Sequence, residues 1–173
     1  MHEIIWPEDY TPGFTDNFCS NEVIVAGLSV KDIWPFLSTP SLWPTYYSNS
    51  SDTRFHDGKG PVLEADARFF FKTFGFPIEA QVTEYVAPQD GKPARLAWHG
   101  WAEGNTETRL DVIHAWLLED LPQGRVRVLT QESQKGKPAR ELARAEPNPM
   151  INGHQQWLNG LIDAAKQAKN QDR

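Results

Sequence analysis

The segment that most constrains this fold is a long amphipathic stretch near the end of the chain, from Asn148 to Lys169. On a helical wheel its small and apolar side chains form one continuous arc of roughly 200°, wider than the stripe of an ordinary surface helix. We therefore predict a helix that packs against a curved sheet, which wraps around it. Asn148 suits the cap of this helix and Pro149 its first position, while Lys169 is the one misfit. The arc contains Met150, Ile151, Gly153, His154, Trp157, Leu158, Gly160, Leu161, Ile162, Ala164, Ala165 and Ala168.

The rest of the chain has the alternation of apolar and polar residues that is typical of strands. A β-branched strand is predicted from Ser20 to Ala26, followed by two short helices with Ser29 and Ser41 as caps. Further strands follow in an antiparallel meander with turns that contain Gly and Pro. The predicted fold class is α+β, a curved antiparallel sheet of about six or seven strands wrapped around the C-terminal helix.

The length of 173 residues suits one domain, which we predict to span residues 20–170. Residues 1–19 are predicted to form an irregular arm, pinned to the domain by Ile5, Trp6 and Phe14. No apolar run is long enough for a membrane span, and the first residues do not resemble a signal peptide. A cytoplasmic location is therefore expected.

Charge and cysteine content exclude several classes of function. The net charge is −6 and the basic residues are scattered, which argues against a nucleic-acid interface. Cys19 is the single cysteine, so neither an intrachain disulfide nor a thiolate metal cluster is expected. Phosphate-loop and nucleophile-elbow motifs are absent as well.

Two stretches carry a family resemblance: EVIVAGLSVKDIWPFLSTPSLW, from Glu22 to Trp43, and RLAWHG, from Arg95 to Gly100. The first is similar to the opening strand and helix of the START-like (SRPBCC) superfamily, and the second to a late strand of that family with its Leu and Trp. The resemblance is closest to the polyketide cyclase/dehydrase-type branch. With the C-terminal helix, the resemblance covers roughly residues 20–170. It implies the helix-grip fold with an apolar tunnel between sheet and helix, and it implies no shared catalytic residue.

The chain is rich in aromatic residues, with seven Trp, nine Phe and four Tyr. Most of them are expected to pack the core, and some to line a ligand cavity. Trp98 is expected to face inward, rather than Trp101. Gly153 and Gly160 fit either close packing or room for a ligand. The predicted ligand-binding residues are Phe69, Phe71, Trp98, His114, Trp116, His154, Trp157, Leu158 and Leu161.

Three inward-facing residues could carry acid–base chemistry: His154, His114 and Glu132. For His154 the alternative is a structural core histidine that bonds a backbone carbonyl or Glu132, and the same alternative applies to His114. If both histidines point inward, we expect them to approach each other. Glu132 lies either at a wet tunnel mouth or in a buried site that raises its pKa. No metal or other cofactor is predicted. A metal site would need a third ligand beside the two histidines, such as Glu132 or His99, and the sequence contains no closely spaced pair of His or Cys residues.

The sequence therefore favours a carrier or sensor of a small hydrophobic or aromatic molecule, as a monomer or homodimer. The alternative is a cyclase/dehydrase-type enzyme that acts on an apolar, polyketide-like substrate. A third, weaker reading is a protein-binding module that uses an outer aromatic patch. The carrier is preferred because no orienting partner for His154 can be identified along the chain.

Overall fold

The computed structural model describes all 173 residues and contains one seven-stranded antiparallel sheet in the order β1-β7-β6-β5-β4-β3-β2. This confirms the predicted fold class. The strands are β1 (Asn17–Ala26), β2 (Ser50–Phe55), β3 (Arg68–Thr73), β4 (Phe76–Val86), β5 (Ala94–Ala102), β6 (Leu110–Leu121) and β7 (Arg125–Lys135). The helices are α1 (Val30–Ser38), α2 (Trp43–Tyr46), α3 (Lys137–Arg144) and α4 (Pro149–Gln171), with short 3-10 turns at Glu8–Tyr10 and Pro40–Leu42.

Helix α4 begins and faces the sheet as its sequence predicts. The Asn148 side chain accepts a hydrogen bond from the Met150 amide at 3.0 Å, and Pro149 takes the first position. Ile151, placed on the apolar arc, is 44% exposed, because it lies at the edge of that arc in the first turn. The buried residues of α4 are Met150, Gly153, His154, Trp157, Leu158, Leu161, Ile162 and Ala165.

Lys169, the one residue that does not fit the division of the helical wheel into an apolar and a polar face, forms an ion pair. Its Nζ donates to Asp32 Oδ2 at 2.8 Å. Asp32 also completes a capping box with Ser29 at the start of α1. The last turns of α4 are thus attached to the first turn of α1, an attachment that a helical wheel cannot reveal.

Aromatic side chains fill most of the space where the resemblance implies a tunnel. Trp43 lies at their centre, stacked on Trp98 with ring centroids 5.5 Å apart and edge-on to Trp157 at 4.9 Å. Phe69 and Phe71 pack against Trp43 from β3. Edge-to-face and offset contacts of this kind stabilise a core beyond their buried area. The expected tunnel is therefore reduced to a small pocket at one end of the helix.

The N-terminal arm covers part of the outer face of the sheet. Ile4 is buried there against Ala97, Ala115, Leu117 and Leu129, and Trp6 packs alongside. The predicted anchors Ile5 and Phe14 are 65% and 90% exposed and are therefore wrong, whereas Trp6 is correct. Neighbouring residues of an extended segment point to opposite sides, which explains why Ile4 is buried and Ile5 is not.

The two tryptophans of β5 face opposite sides of the sheet. Trp98 is 1% exposed in the core, as predicted. Trp101 lies on the outer face beneath the guanidinium of Arg68, 5.1 Å from its ring centroid. None of the helices combines the length and the apolar character that a bilayer crossing needs.

Candidate functional site

One enclosed pocket lies between the inner face of the sheet and the first turns of α4. Its volume is about 20 Å³, room for one or two water molecules. The half-buried side chains Phe74, Phe76 and Leu142 mark its mouth, and fully buried residues form its inner end. The lining residues are Phe71, Thr73, Phe74, Phe76, Ile78, Trp98, Leu110, Val112, His114, Glu132, Gln134, Leu142, Met150, His154 and Trp157.

The structure brings only some of the predicted ligand-binding residues to this pocket. Those that line it are Phe71, Trp98, His114, His154 and Trp157. Phe69, Trp116, Leu158 and Leu161 are buried in the surrounding core instead. Periodicity identifies the face of an element that points inward, but not the depth at which the core ends and a pocket begins. The mouth residues Phe74 and Leu142 carried no sequence signal, because they lie in a turn and on the short helix α3.

Three elements bring a polar group to the inner end of the pocket. His114 on β6 and Glu132 on β7 are direct partners in the strand register, and both face inward. His154 lies in the first turns of α4, and its side chain lines the pocket. Glu132 Oε2 lies 3.0 Å from His154 Nε2 and 3.4 Å from His114 Nδ1. The two imidazole rings stack with centroids 4.5 Å apart, so the approach of the histidines expected from the sequence is confirmed.

His154 has two partners that fix its orientation. Glu132 contacts Nε2, and Cys19 Sγ lies 3.3 Å from Nδ1. Burial raises the pKa of the Cys19 thiol, with the nearby Glu132 charge acting in the same direction. The thiol therefore stays protonated, and it can donate to Nδ1 when the ring hydrogen of His154 is on Nε2. Our inference that His154 lacks an orienting partner is wrong, because both partners come from distant strands.

A chain of side-chain hydrogen bonds connects Glu132 to the cap of α4. Gln134 donates to Glu132 at 3.0 Å, and Asn17 donates to Gln134 at 2.7 Å. Asn148 donates to Asn17 at 3.2 Å, while its own side-chain oxygen caps the helix. These side-chain amides hold the carboxylate in one orientation relative to the helix that carries His154.

Burial and neighbouring groups set the charges of this cluster. Loss of water around the ring lowers the pKa of His114 to about 3. Burial alone would raise the pKa of Glu132, but its contacts with His114, His154 and Gln134 outweigh it and lower that pKa to about 2. The sequence led us to expect Glu132 either at a wet tunnel mouth or in a buried site that raises its pKa, and both expectations are wrong. Glu132 is buried, and its pKa is lowered. At neutral pH it is a buried carboxylate beside a neutral His114 imidazole.

Comparison with known proteins adds one close relative and several distant folds. No family model and no curated protein matches this chain. The crystal structure of the hypothetical protein jhp0584 from Helicobacter pylori is 47% identical, covers 95% of this chain and 97% of its own, and has a TM-score of 0.92.

Two enzymes share the fold at low identity. Norcoclaurine synthase from Thalictrum flavum, in complex with dopamine and hydroxybenzaldehyde, is 14% identical over 91% of this chain and 88% of its own, with a TM-score of 0.56. The di-domain ARO/CYC protein StfQ of the steffimycin biosynthetic pathway is 11% identical over 90% of this chain and 53% of its own, with a TM-score of 0.60. At these identities the likeness concerns the fold alone.

Proposed function

We propose that this chain, whose fold is that of the START-like (SRPBCC) proteins, binds a small aromatic or otherwise apolar molecule in the pocket beside α4, as a carrier or sensor. The observation that carries this proposal is the composition of the pocket, in which 10 of 15 lining residues are hydrophobic. His114, Glu132 and His154 supply titratable groups at its inner end, and Thr73 and Gln134 are the other polar residues of the lining. An apolar cleft with a few convergent polar groups is the usual form of a small-molecule site.

The enclosed volume limits the size of the ligand. About 20 Å³ does not admit an aromatic ring without movement of the lining. Phe74 is the side chain best placed to move, because it is half-buried and belongs to the turn between β3 and β4. We therefore expect a ligand of about one aromatic ring, which enters as Phe74 swings outward.

The inner end of the pocket favours a ligand with a hydrogen-bond donor. Glu132 is ionised and accepts hydrogen bonds, and neither Lys nor Arg lines the pocket. A phenol or an amine can donate to this carboxylate, whereas an aromatic carboxylate would be repelled by it. The bound dopamine and hydroxybenzaldehyde of norcoclaurine synthase belong to the favoured class, and this supports the proposal.

The test compares p-cresol with p-toluate, which is charged at neutral pH, and uses the neutral p-toluamide as the control for the larger size of p-toluate. Calorimetric titration and tryptophan fluorescence should show 1:1 binding of p-cresol, with p-toluate at least tenfold weaker. Phe74→Ala should speed p-cresol association, and Trp157→Ala should change its affinity. Phe14→Ala, at a side chain that is 90% exposed, is the matched control and should do neither. Binding that appears only on partial unfolding would refute the proposal.

A second candidate function is acid–base catalysis, and the mutual contacts of His114, Glu132 and His154 favour it. The test incubates the protein with molecules recovered from its host and follows products by mass. In an enzyme, His154→Gln should lower the rate by about 100-fold or more while binding is retained. In a carrier it should weaken binding by about 1–2 kcal/mol, the value of one or two hydrogen bonds, and the ligand should remain chemically unchanged.

A further inference from the structure

The buried cluster of His114, Glu132 and His154 brings three potential metal ligands close together. One ligand atom from each residue lies within 4.8 Å of the other two. All three side chains are at most 6% exposed. Imidazole nitrogens and carboxylate oxygens are ligands that zinc takes in proteins.

Nδ1 of His114 lies on the side of the ring that faces Glu132, 3.4 Å from its Oε2 atom. On the other side of the ring, Nε2 lies 2.8 Å from the hydroxyl of Thr130, which is itself 3.3 Å from the carbonyl of Ala115. A hydroxyl that donates to Ala115 can accept the hydrogen of Nε2, and the lone pair of the neutral ring is then on Nδ1. In this tautomer a metal ion between Nδ1 and the carboxylate can bond to both.

The charged side chains around the pocket suit a cation. Glu132 brings a buried carboxyl group to its inner end, and neither Lys nor Arg is among the lining residues. A cation in the pocket therefore meets no positively charged Lys or Arg side chain. Coordination of a metal ion is one of the ways in which proteins satisfy a buried carboxyl group.

We propose that His114 Nδ1, Glu132 Oε2 and His154 Nε2 bind one divalent transition-metal ion of the zinc class. Two imidazoles and a carboxylate are an established ligand set for zinc with an open fourth position. Ligands about 2.0–2.1 Å from a tetrahedral ion lie roughly 3.3 Å from each other. The separations of Glu132 Oε2 from His154 Nε2 and His114 Nδ1, 3.0 and 3.4 Å, are close to that value. The inference goes beyond the proposed function and does not rest on it.

The surroundings of the ligands suit a metal. Metal-bound histidines usually donate their second ring hydrogen to a neighbouring group that fixes the ring. Thr130 serves His114 in this way, and Cys19 Sγ stands 3.3 Å from Nδ1 of His154. When Nε2 of His154 binds the ion, its hydrogen is carried on Nδ1 and faces this sulfur. The three residues line the pocket, whose volume of about 20 Å³ has room for a water molecule as a further ligand.

The test titrates chelator-treated full-length protein with Zn²⁺ and with Co²⁺, by calorimetry and by visible absorption. We expect one ion per chain and cobalt bands typical of four or five ligands. Glu132→Gln should weaken Zn²⁺ binding at least 100-fold, and Thr130→Val about tenfold. His99→Gln is the matched control, since His99 pairs with Asp111 on the outer face. Equal Zn²⁺ affinity in Glu132→Gln and His99→Gln, or no uptake at all, would overturn the proposal.

A second measurement needs no variant and remains decisive if Glu132→Gln does not fold. The chain has five histidines, His2, His56, His99, His114 and His154. In ¹⁵N-labelled native protein, one equivalent of Zn²⁺ should shift the ring-nitrogen resonances of the two buried histidines and leave the other three in place. Shifts confined to the other three would place the ion on the surface and refute the site.

Discussion

Phe74 lies directly over Gly153, so that a Cβ atom added to the glycine would come within 2.2 Å of the Phe74 ring. The same ring meets His154 edge-on, with centroids 5.8 Å apart. Gly153 therefore serves close packing, one of the two uses that the sequence left open for it. Because Gly153 has no side chain, the Phe74 ring can cover the mouth of the pocket next to His154.

Replacing Gly153 with Ala should force Phe74 out of its place. We expect a loss of about 1–3 kcal/mol in the free energy of unfolding, the usual cost of overpacking. Urea denaturation of the two proteins measures this difference.

The Phe74→Ala background tests the cause of that loss. Once the ring is absent, Gly153→Ala should be neutral or stabilising by up to about 1 kcal/mol, because alanine favours a helix more than glycine does. An equal loss in both backgrounds would mean that Phe74 is not the obstacle.

The sequence predicts more of the fold than of the candidate site. The arc on α4 and the alternation in β6 predicted which faces are buried, because burial follows local periodicity. They also placed His114 and His154 inside. The partners of these residues follow from the strand register instead: Cys19 and Glu132 are opposite each other across β1 and β7, more than a hundred residues apart in sequence. No local pattern encodes that pairing.

Leu161 and Asn159 test the orientation of α4. Leu161 is fully buried, and Asn159 is exposed on the opposite face. Leu161→Asp should destabilise the domain by several kcal/mol or unfold it, since the charge enters an apolar core. Asn159→Asp should cost less than about 0.5 kcal/mol. Equal melting temperatures for the two variants would contradict the observed orientation.

The outer face of the sheet contains a buried ion pair with a predictable pH dependence. Arg127 Nη1 donates to Glu119 Oε1 at 2.9 Å, and His2 Nδ1 lies 2.7 Å from Oε2 of the same carboxylate. Burial alone would raise the pKa of Glu119, but bonds from His2 and Arg127 outweigh it and hold the pKa below its usual range. The stabilisation is therefore fully present above the unfolded pKa of about 4.3. It is lost as the pH falls through the folded pKa.

Glu119→Gln should accordingly lower the free energy of unfolding at pH 7 by about 1–3 kcal/mol, the value of a charged hydrogen bond. The difference from the native protein should shrink as the pH falls below about 4. Urea titrations at several pH values measure it. Glu141→Gln, on the exposed surface of α3, is the matched control and should stay close to the native protein at every pH. A difference for Glu119→Gln that does not change with pH would show that the carboxylate is not stabilised by its charge.

Cys19 should be unreactive in the native protein, although it is the single thiol of the chain. It is 2% exposed, and burial raises its pKa, so the reactive thiolate is both scarce and inaccessible. We expect modification by iodoacetamide at pH 8 to be at least 100-fold slower in native protein than in urea-unfolded protein. Mass spectrometry of the intact chain over time measures both rates. His154→Gln should leave the native rate low, because the thiol is protected by burial and not by its contact with the histidine ring. Comparable rates in the folded and unfolded protein would mean that β1 opens readily beside the cluster, and that Cys19 does not hold the His154 ring in place.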